Sequence, residues 1–356
     1  ILAGGCAPGE SGGSLTPEGI LGGLREDTAS TPIPGATWYE AESVGDGLTY
    51  SIPEGALAGA KYLTSDMLLD GSHMIVFMLA LHETGEDGRT FNFRFSGLNQ
   101  CGLRVRLPLD LVDQNRWGIE REGAFLKPRC SGDRVDLEKI ARVTLKVFRK
   151  SPVTARWCMT PIVMTDQDVE KLNAPVLTKG PLIDELGQST LHDWPAKSKS
   201  VEEVVERIRY QLEKAPDQAW PASFSQWGGW EKKRINRGSG FFGKHHDGER
   251  WWLVDPEGYA FWSVGLDCYR VDTYARYDGL ETALAWLPEG DPQFRTAISA
   301  NPDSRRGKTI NYLAANFIRT FGSDGWRDKW AQIGLAEMKG LGFNTVGNWS
   351  EWEYAK

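Results

Sequence analysis

The segment that most constrains this chain is residues 240–268, GFFGKHHDGERWWLVDPEGYAFWSVGLDC. It reads as three strands joined by two tight turns. Asp247-Gly248 is a two-residue hairpin signal, because both turn positions need φ > 0 and Asp-Gly accepts that. Pro256-Glu257-Gly258 marks the second turn, with Pro fixing φ and Gly permitting the reversal. The third strand, residues 259–266, is almost wholly apolar, the pattern of a buried strand in the centre of a barrel. It runs into Asp267, Cys268, Tyr269 and Arg270. A polar cluster at the carboxyl end of a buried strand is where α/β barrels place their active sites.

The remaining length allows two or three domains in 356 residues. Residues 36–165 read as all-β. Phe91, Phe93 and Phe95 alternate with Asn92 and Arg94; Leu103, Val105 and Leu107 alternate with Arg104 and Arg106; Val143, Leu145 and Val147 alternate with Thr144 and Lys146. A period of two buries one face and wets the other. The continuous apolar run 74–81 is expected as a central strand. Turn signals at Glu86-Asp87-Gly88 and Ser131-Gly132-Asp133 separate these segments. Antiparallel strands at this spacing predict a β-sandwich or jelly roll, a module that often binds sugars and also serves as a plain structural domain.

Residues 166–239 read as a linker that contains one helix. Ser200 and Glu203 form a capping box. Val201, Val204, Val205, Ile208 and Leu212 share one face, and Ala215-Pro216 ends the helix. Trp227 and Trp230 flank a Gly pair, which suits either a sugar platform or a seal at the domain junction. Beyond Asp267 a long Pro-containing loop, residues 270–306, is expected, followed by helices over 308–321 and 326–339. The run 342–350 then reads as a second strand ending in polar residues. Strand, helical crossover and strand make a βαβ unit with two parallel strands.

The formal net charge of −7 and the lack of a basic run argue against nucleic acid as a partner. No segment is apolar enough over enough length to span a membrane. The unusual count is 15 Trp, beside 10 Tyr and 14 Phe. A flat indole with one polar edge suits the apolar face of a sugar ring, though each Trp taken alone also suits a core. At the amino end, Ile1-Leu2-Ala3-Gly4-Gly5-Cys6 resembles the close of a bacterial lipoprotein signal, with Cys6 as the lipidated residue. The Gly/Ser/Pro-rich stretch 7–35 is expected as a flexible tether. An acylated Cys6 would hold the protein to a membrane surface. Cys101, Cys130, Cys158 and Cys268 remain, an even number that fits an oxidising compartment and lacks zinc spacing.

Taken in order, Trp227-Gly228-Gly229-Trp230, Gly240-Phe241-Phe242, the run from Trp251 to Gly258, the strand through Gly265, and the run from Gly342 to Ser350 resemble β-agarases of glycoside hydrolase family 50. The resemblance implies a carbohydrate-binding-like sandwich followed by a (β/α)8 TIM barrel. Residues 240–356 would be only its first part, since such a barrel needs about 250 residues. It implies hydrolysis of β-1,4 galactosidic bonds in agar-like galactans, with retention through two glutamates. One protonates the leaving oxygen and the other attacks the anomeric carbon from about 5 Å away. By resemblance they lie at the ends of the fourth and seventh barrel strands, hence beyond Lys356. Glu351 and Glu353 match no family catalytic position and are expected as a solvated loop start.

Asp267 and Arg270 at the first strand end, with Asn348 and Trp349 at the second, are the candidate substrate-binding residues. Their polar groups suit sugar hydroxyls and the indole suits a ring; an ion pair and a core Trp are the structural alternatives. His245-His246-Asp247 does not suggest a metal, because neighbours on a hairpin point to opposite faces. No phosphate-cradling or dinucleotide motif occurs, so neither a cofactor nor a metal is expected. Expected partners are a galactan chain and, through Cys6, a membrane surface. The expected location is the bacterial outer membrane or the exterior. The alternatives are a non-catalytic carbohydrate-binding surface lipoprotein and a structural or adhesion domain.

Overall fold

The computed structural model describes residues 13–355 except 72, 86–87, 114–118, 120, 173 and 302–306. Cys6 and part of the turn at Glu86-Asp87-Gly88 therefore lie outside the described residues. The chain divides into two units. The first comprises Ile1–Ile183 with Tyr277–Ala285, and the second Asp184–Arg276 with Trp286–Lys356.

The first unit is a β-sandwich. Its strands are β1 (Gly19–Leu21), β2 (Arg25–Asp27), β3 (Thr37–Ala41), β4 (Gly47–Ser51), β5 (Tyr62–Leu69) and β6 (Val76–Glu83). They continue with β7 (Thr90–Gly97), β8 (Gly102–Pro108), β9 (Phe125–Gly132), β10 (Ile140–Arg149), β11 (Ala155–Met159) and β12 (Val163–Thr165). One sheet has the order β1-β4-β10-β6-β7-β9. The other runs β12-β5-β11-β3-β2, with β8 on the free edge of β5. All these pairings are antiparallel. The alternating residues do what their period demands: Phe91, Phe93, Phe95, Leu103, Val105, Val143 and Leu145 are all buried. Across the interface Trp157 of one sheet meets Phe77 of the other edge-on, with centroids 5.0 Å apart, and stacks on Tyr39. The void left between the sheets is about 10 Å³, too small for an ordered water with room to move.

The flexible tether expected over 7–35 is corrected by two of these strands. β1 pairs with β4 and β2 with β3, and Ser14 bridges Val163. Composition misled here because Gly22 and Gly23 are needed for a turn around Asp46. The Asp46 carboxylate accepts from the backbone N–H groups of Gly23, Glu42 and Ser43 at 2.8–3.1 Å, and these bonds hold it below the usual carboxylate range. A Cβ on Gly22, whose φ is +66°, would lie 2.2 Å from that carboxylate.

His82, on β6, sits between Thr90 and Thr144 at 3.2 and 3.1 Å. Burial, then the charges of Arg142 and Lys146, push it below its ordinary value of 6.5. The unfolded chain takes up this proton more readily than the native one. The stability from His82 is therefore complete above about pH 6.5 and is lost as pH falls below it. The melting temperature should drop as buffer is acidified from about pH 7 to about pH 5. In His82→Gln the drop should be shallower; an unchanged slope would remove His82 from the account.

The second unit contains α1 (Val201–Lys214), a four-stranded antiparallel sheet and a βαβ unit. Ser200 caps α1 by accepting from Glu203 N–H, and the Glu203 carboxylate accepts in turn from Lys199 N–H. The segment expected as a linker is thus folded into the unit, since Ile208, Val204 and Leu212 pack among Ala314, Ile318 and Trp330. The sheet is ordered β13 (Trp230–Arg234), β16 (Tyr259–Phe261), β15 (Trp251–Val254), β14 (Gly243–His246). The turn between β14 and β15 is set one residue later than the Asp-Gly signal suggests. Asp247 N–H donates to Arg250 O, so Gly248 and Glu249 are its central residues. The Asp247 carboxylate accepts from the N–H groups of Arg250 and Glu249 and from the Trp252 indole. Those bonds fix the register and keep its pKa well below the usual range.

The expected single strand over 259–266 is broken. β16 ends at Phe261, and a separate two-residue strand β17 (Gly265–Leu266) pairs in parallel with β21 (Thr345–Val346). Trp262 between them is 76% exposed, and Val264 and Leu266 are exposed too. The cause is Asn344, whose side chain takes the backbone of the break: its Oδ1 accepts from Val264 N–H and its Nδ2 donates to Trp262 O and Gly228 O. Hydrophobicity alone could not show that these backbone groups leave one sheet and join another.

The crossover from β17 to β21 is also more ordered than a long loop. β18 (Ala275–Arg276), β19 (Ile298–Ser299) and β20 (Thr309–Ile310) form a small antiparallel sheet. Residues 277–285 return to the first unit, where Leu182 N–H and Ala285 N–H bond Ala283 O and Ile183 O. α2 (Tyr312–Phe321) starts later than the apolar periodicity suggests, because Thr309 and Ile310 are in strand and Asn311 is the cap. Gly322, with φ +86°, stops it. α3 (Trp326–Gly340) follows.

Candidate functional site

Residues 265–270 and 345–351 meet at the carboxyl ends of β17 and β21. Gly347 N–H donates to Leu266 O at 2.9 Å, Cys268 N–H to Asn348 O at 2.8 Å, and Asn348 N–H to the Asp267 carboxylate at 3.0 Å. Arg270 donates to Trp349 O at 3.4 Å and pairs with Asp272 at 2.9 Å. The structure therefore brings all four sequence-predicted residues, Asp267, Arg270, Asn348 and Trp349, to one place. Their roles differ. One oxygen of Asp267 ties the two strand ends, and Arg270 is engaged by a carbonyl and a carboxylate. The Asn348 side-chain amide is exposed and has no partner among the described residues. Trp349 is 72% exposed, which excludes the core alternative.

Two backbone outliers mark the same place. Cys268 and Trp349 hold φ of +59° and +57°. Left-handed backbone in a residue with a side chain costs about 1–3 kcal/mol and persists only where surrounding bonds enforce it. Here those bonds include the reciprocal ties just described. They turn the indole of Trp349 out of the chain path and into the open.

Glu351 was missed as a fixed point. Its carboxylate accepts from Val271 N–H at 3.0 Å and from Arg327 at 3.3 Å, while Glu351 N–H donates to Tyr269 O. It is a brace, not a solvated loop start; Glu353 is exposed as expected. Tyr269 stacks on Trp330 at 4.8 Å and donates its hydroxyl to Ala331 O. Burial, with Glu351 nearby, pushes Tyr269 up to about 12. No sequence pattern marks Glu351 and Tyr269, because their partners lie far away on the crossover.

Beside this strand pair lies an open hollow of about 750 Å³, lined by Trp220, Phe242, Phe261, Lys339, Asn344 and Trp352 among others. Phe242 meets Trp227 and Phe261 edge-on at 6.4 and 5.0 Å. Trp227 and Trp230 stay 44% and 49% exposed. The glycines between them are the packed residues: a Cβ on Gly228 would lie 2.6 Å from Asn344 and one on Gly229 2.4 Å from Asp255. Trp251 is exposed beside His246, and Lys233 and Arg250 lie over Trp252. The arrangement offers aromatic faces and hydrogen-bonding side chains around a broad open hollow.

Among the described residues no cluster of three His, Cys, Asp or Glu is placed to hold a metal. His246 accepts from Gly248 N–H through Nδ1. Cys101, Cys130 and Cys158 are buried free thiols and Cys268 is exposed. Burial pushes Cys101 up to about 12 and Cys158 up to about 11, which keeps both as protonated core residues. No described helix is long and apolar enough to cross a membrane.

No protein-family model matches the chain. Among curated proteins, it is 28% identical over 199 residues to Beta-agarase B of Vibrio sp. (strain JT0107), across 48% of this chain and 20% of that protein. It is 32% identical over 125 residues to Beta-agarase A of the same organism, across 30% of this chain and 12% of that protein. Among solved structures, an agarase named AgWH50C aligns over 96% of this chain and 53% of its own, with a TM-score of 0.45 and 18% identity. The chain thus spans a fifth or less of the curated relatives and about half of that structure. It is similar to β-agarases of glycoside hydrolase family 50.

Proposed function

We propose that this chain is part of a glycoside hydrolase of β-agarase type, which cleaves β-1,4 galactosidic bonds in agar-like galactans with retention. The observation that carries this reading is the similarity of nearly half the chain to Beta-agarase B. The geometry supports it through the parallel pair β17–β21, whose carboxyl ends gather polar side chains and one exposed indole. That is the face on which α/β barrels build their sites. On this reading residues 240–356 hold the first two strands of a (β/α)8 barrel. The nucleophile and the acid/base are glutamates beyond Lys356. Asn348 and Trp349 hold the sugar, while Asp267 and Arg270 set the strand ends that present them.

The test is the full-length protein acting on agarose. New reducing ends should form, and the first-formed product should keep the β configuration in proton NMR. Inversion, or no cleavage of any agar-type galactan, would overturn the proposal. The Asn348→Ala variant sharpens it. Its side chain has no partner among the described residues, so thermal stability should hold. Loss of a hydrogen bond to sugar should cost roughly 1–3 kcal/mol, about five- to 150-fold in kcat/KM. A lower melting temperature with unchanged kinetics would make Asn348 structural.

Localisation belongs to the same proposal. Ala3, Gly4 and Gly5 before Cys6 suit a lipoprotein processing site, and an acylated Cys6 would anchor the protein at the outer membrane. Cys6→Ser should move the protein from the membrane fraction to the soluble exported fraction. Continued membrane association of that variant would remove the anchor from the account.

A further inference from the structure

The two outward faces of the sandwich treat their cations differently. On the β5 sheet every central arginine has a carboxylate. Arg104 meets Asp66, Arg106 meets Glu122, and Arg156 meets Asp27, Glu40 and Asp70. On the β10 sheet the register lines up Lys146, Met78, Arg94 and Arg129 across β10, β6, β7 and β9. Arg142 lies on the same face of β10, opposite His82. None of these four cations has an ion-pair partner among the described residues. Arg94 lies over the Phe148 ring, 5.2 Å from its centroid. The carboxylates at the rim are engaged elsewhere: Glu83 accepts from Asp136 N–H, Asp133 from Thr90 N–H, and Glu18 from the Ser51 hydroxyl.

A chain with net charge −7 therefore leaves four cations unneutralised on one sheet face. Arg142 and Lys146 lie close enough to His82 to add to the effect of burial in holding it below its ordinary value. Next to the cationic row runs a neutral one, Thr49, Thr144, Ala80, Asn92 and Ser131. Strands lie about 4.8 Å apart, so Arg94 and Arg129 are neighbours and Lys146 stands roughly 10 Å from Arg94. In that row Thr144 and Ala80 are buried, while Thr49, Asn92 and Ser131 stay partly exposed; sparse charges beside such hydroxyl and amide groups suit a sugar chain with occasional anions. They do not suit duplex nucleic acid, which carries a charge about every 1.7 Å.

We propose that this face, with Lys146, Arg94, Arg129 and Arg142, binds the sulfate esters of a sulfated galactan. The galactan class rests on the β-agarase reading above; the anion site rests on the sheet. Binding of a sulfated agar-type galactan oligosaccharide, and of the same oligosaccharide after desulfation, should be measured by calorimetry on the full-length protein. The sulfated form should bind at least about tenfold more tightly, and its affinity should fall as salt rises. The quadruple variant R94Q/R129Q/R142Q/K146Q should lose that preference, and the charge-preserving R94K/R129K/R142K/K146R should retain it.

Equal binding of sulfated and desulfated chains would overturn the proposal, as would an unchanged preference in a folded quadruple variant. Equal affinity for dextran sulfate or duplex DNA would overturn it too, by showing a general polyanion surface. Hydrolysis of neutral agarose without sulfate preference would sink this site alone. Sulfate preference without hydrolysis of any agar-type galactan would sink the β-agarase reading alone.

Discussion

Asp255→Ala should destabilise the second unit by roughly 3–5 kcal/mol, the range for breaking a buried charged network. Asp255 is 1% exposed, and Ser225, its partner, is equally buried. One carboxylate oxygen accepts from the Ser225 hydroxyl at 2.6 Å. The other accepts from Glu257 N–H and Tyr259 N–H at 3.0 and 2.8 Å. Ser225 Oγ in turn accepts from Gly229 N–H at 2.9 Å and Trp227 N–H at 3.3 Å. This one side chain thus closes the β15–β16 turn and pins the Trp-Gly-Gly-Trp loop against it. Alanine leaves three donors without their acceptor, the Ser225 hydroxyl among them fully buried, each at about 1–3 kcal/mol where water does not replace the bond. Asp255→Asn keeps an acceptor and the shape, so it should cost less than half as much. Hydrogen exchange read by mass spectrometry decides the matter. In the Ala variant, peptides covering 225–230 and 253–261 should exchange faster, while those from β6 and β10 stay protected. Unchanged protection at Glu257 and Tyr259 would show that the turn holds without the carboxylate.

The parts of the fold that were legible in the sequence are those governed by local chemistry. Alternation at Phe91–Phe95 and Val143–Val147 gave sheet faces because one face had a core to meet. The Ser200–Glu203 box placed the start of α1, and Gly322 its positive φ and the end of α2. Pro256-Glu257-Gly258 turned where expected, with Gly258 at φ +95°. The illegible parts depend on distant partners. Asn344 decides where the apolar run after Tyr259 must break, yet it lies about 80 positions away in the chain. Asp46 draws a glycine-rich stretch into the sandwich, and composition read that stretch as a tether. The candidate site divides the same way. Polar residues after two apolar strands pointed to Asp267 and Asn348. The brace formed by Glu351, Val271 and Arg327 had no pattern to show it.

Gly265→Ala should abolish the parallel pairing on which the candidate site is built. A Cβ at this position would stand 1.8 Å from the backbone oxygen of Thr345 and 2.8 Å from its Cβ. The obstacle is backbone, so no rotamer change relieves it. Either β17 and β21 separate or the Thr345 peptide turns away. Both outcomes remove the Gly347–Leu266 and Cys268–Asn348 bonds that depend on the register Gly265 to Thr345 and Leu266 to Val346. They also disturb the 2.8 Å contact between the Ser263 and Thr345 hydroxyls. Loss of two to three hydrogen bonds, at about 1 kcal/mol each, adds to the steric cost, and a total of roughly 3–5 kcal/mol follows. Gly334→Ala is the useful comparison, since its nearest obstacle is a side chain, the Tyr269 hydroxyl at 2.4 Å, rather than backbone. Its effect should be smaller and felt in α3. The Gly265 variant should lose the nuclear Overhauser contacts between residues 265–268 and 345–348, and with them the fixed orientation of the Trp349 indole. If those contacts and the melting temperature both survive, close backbone approach is not why glycine occupies position 265.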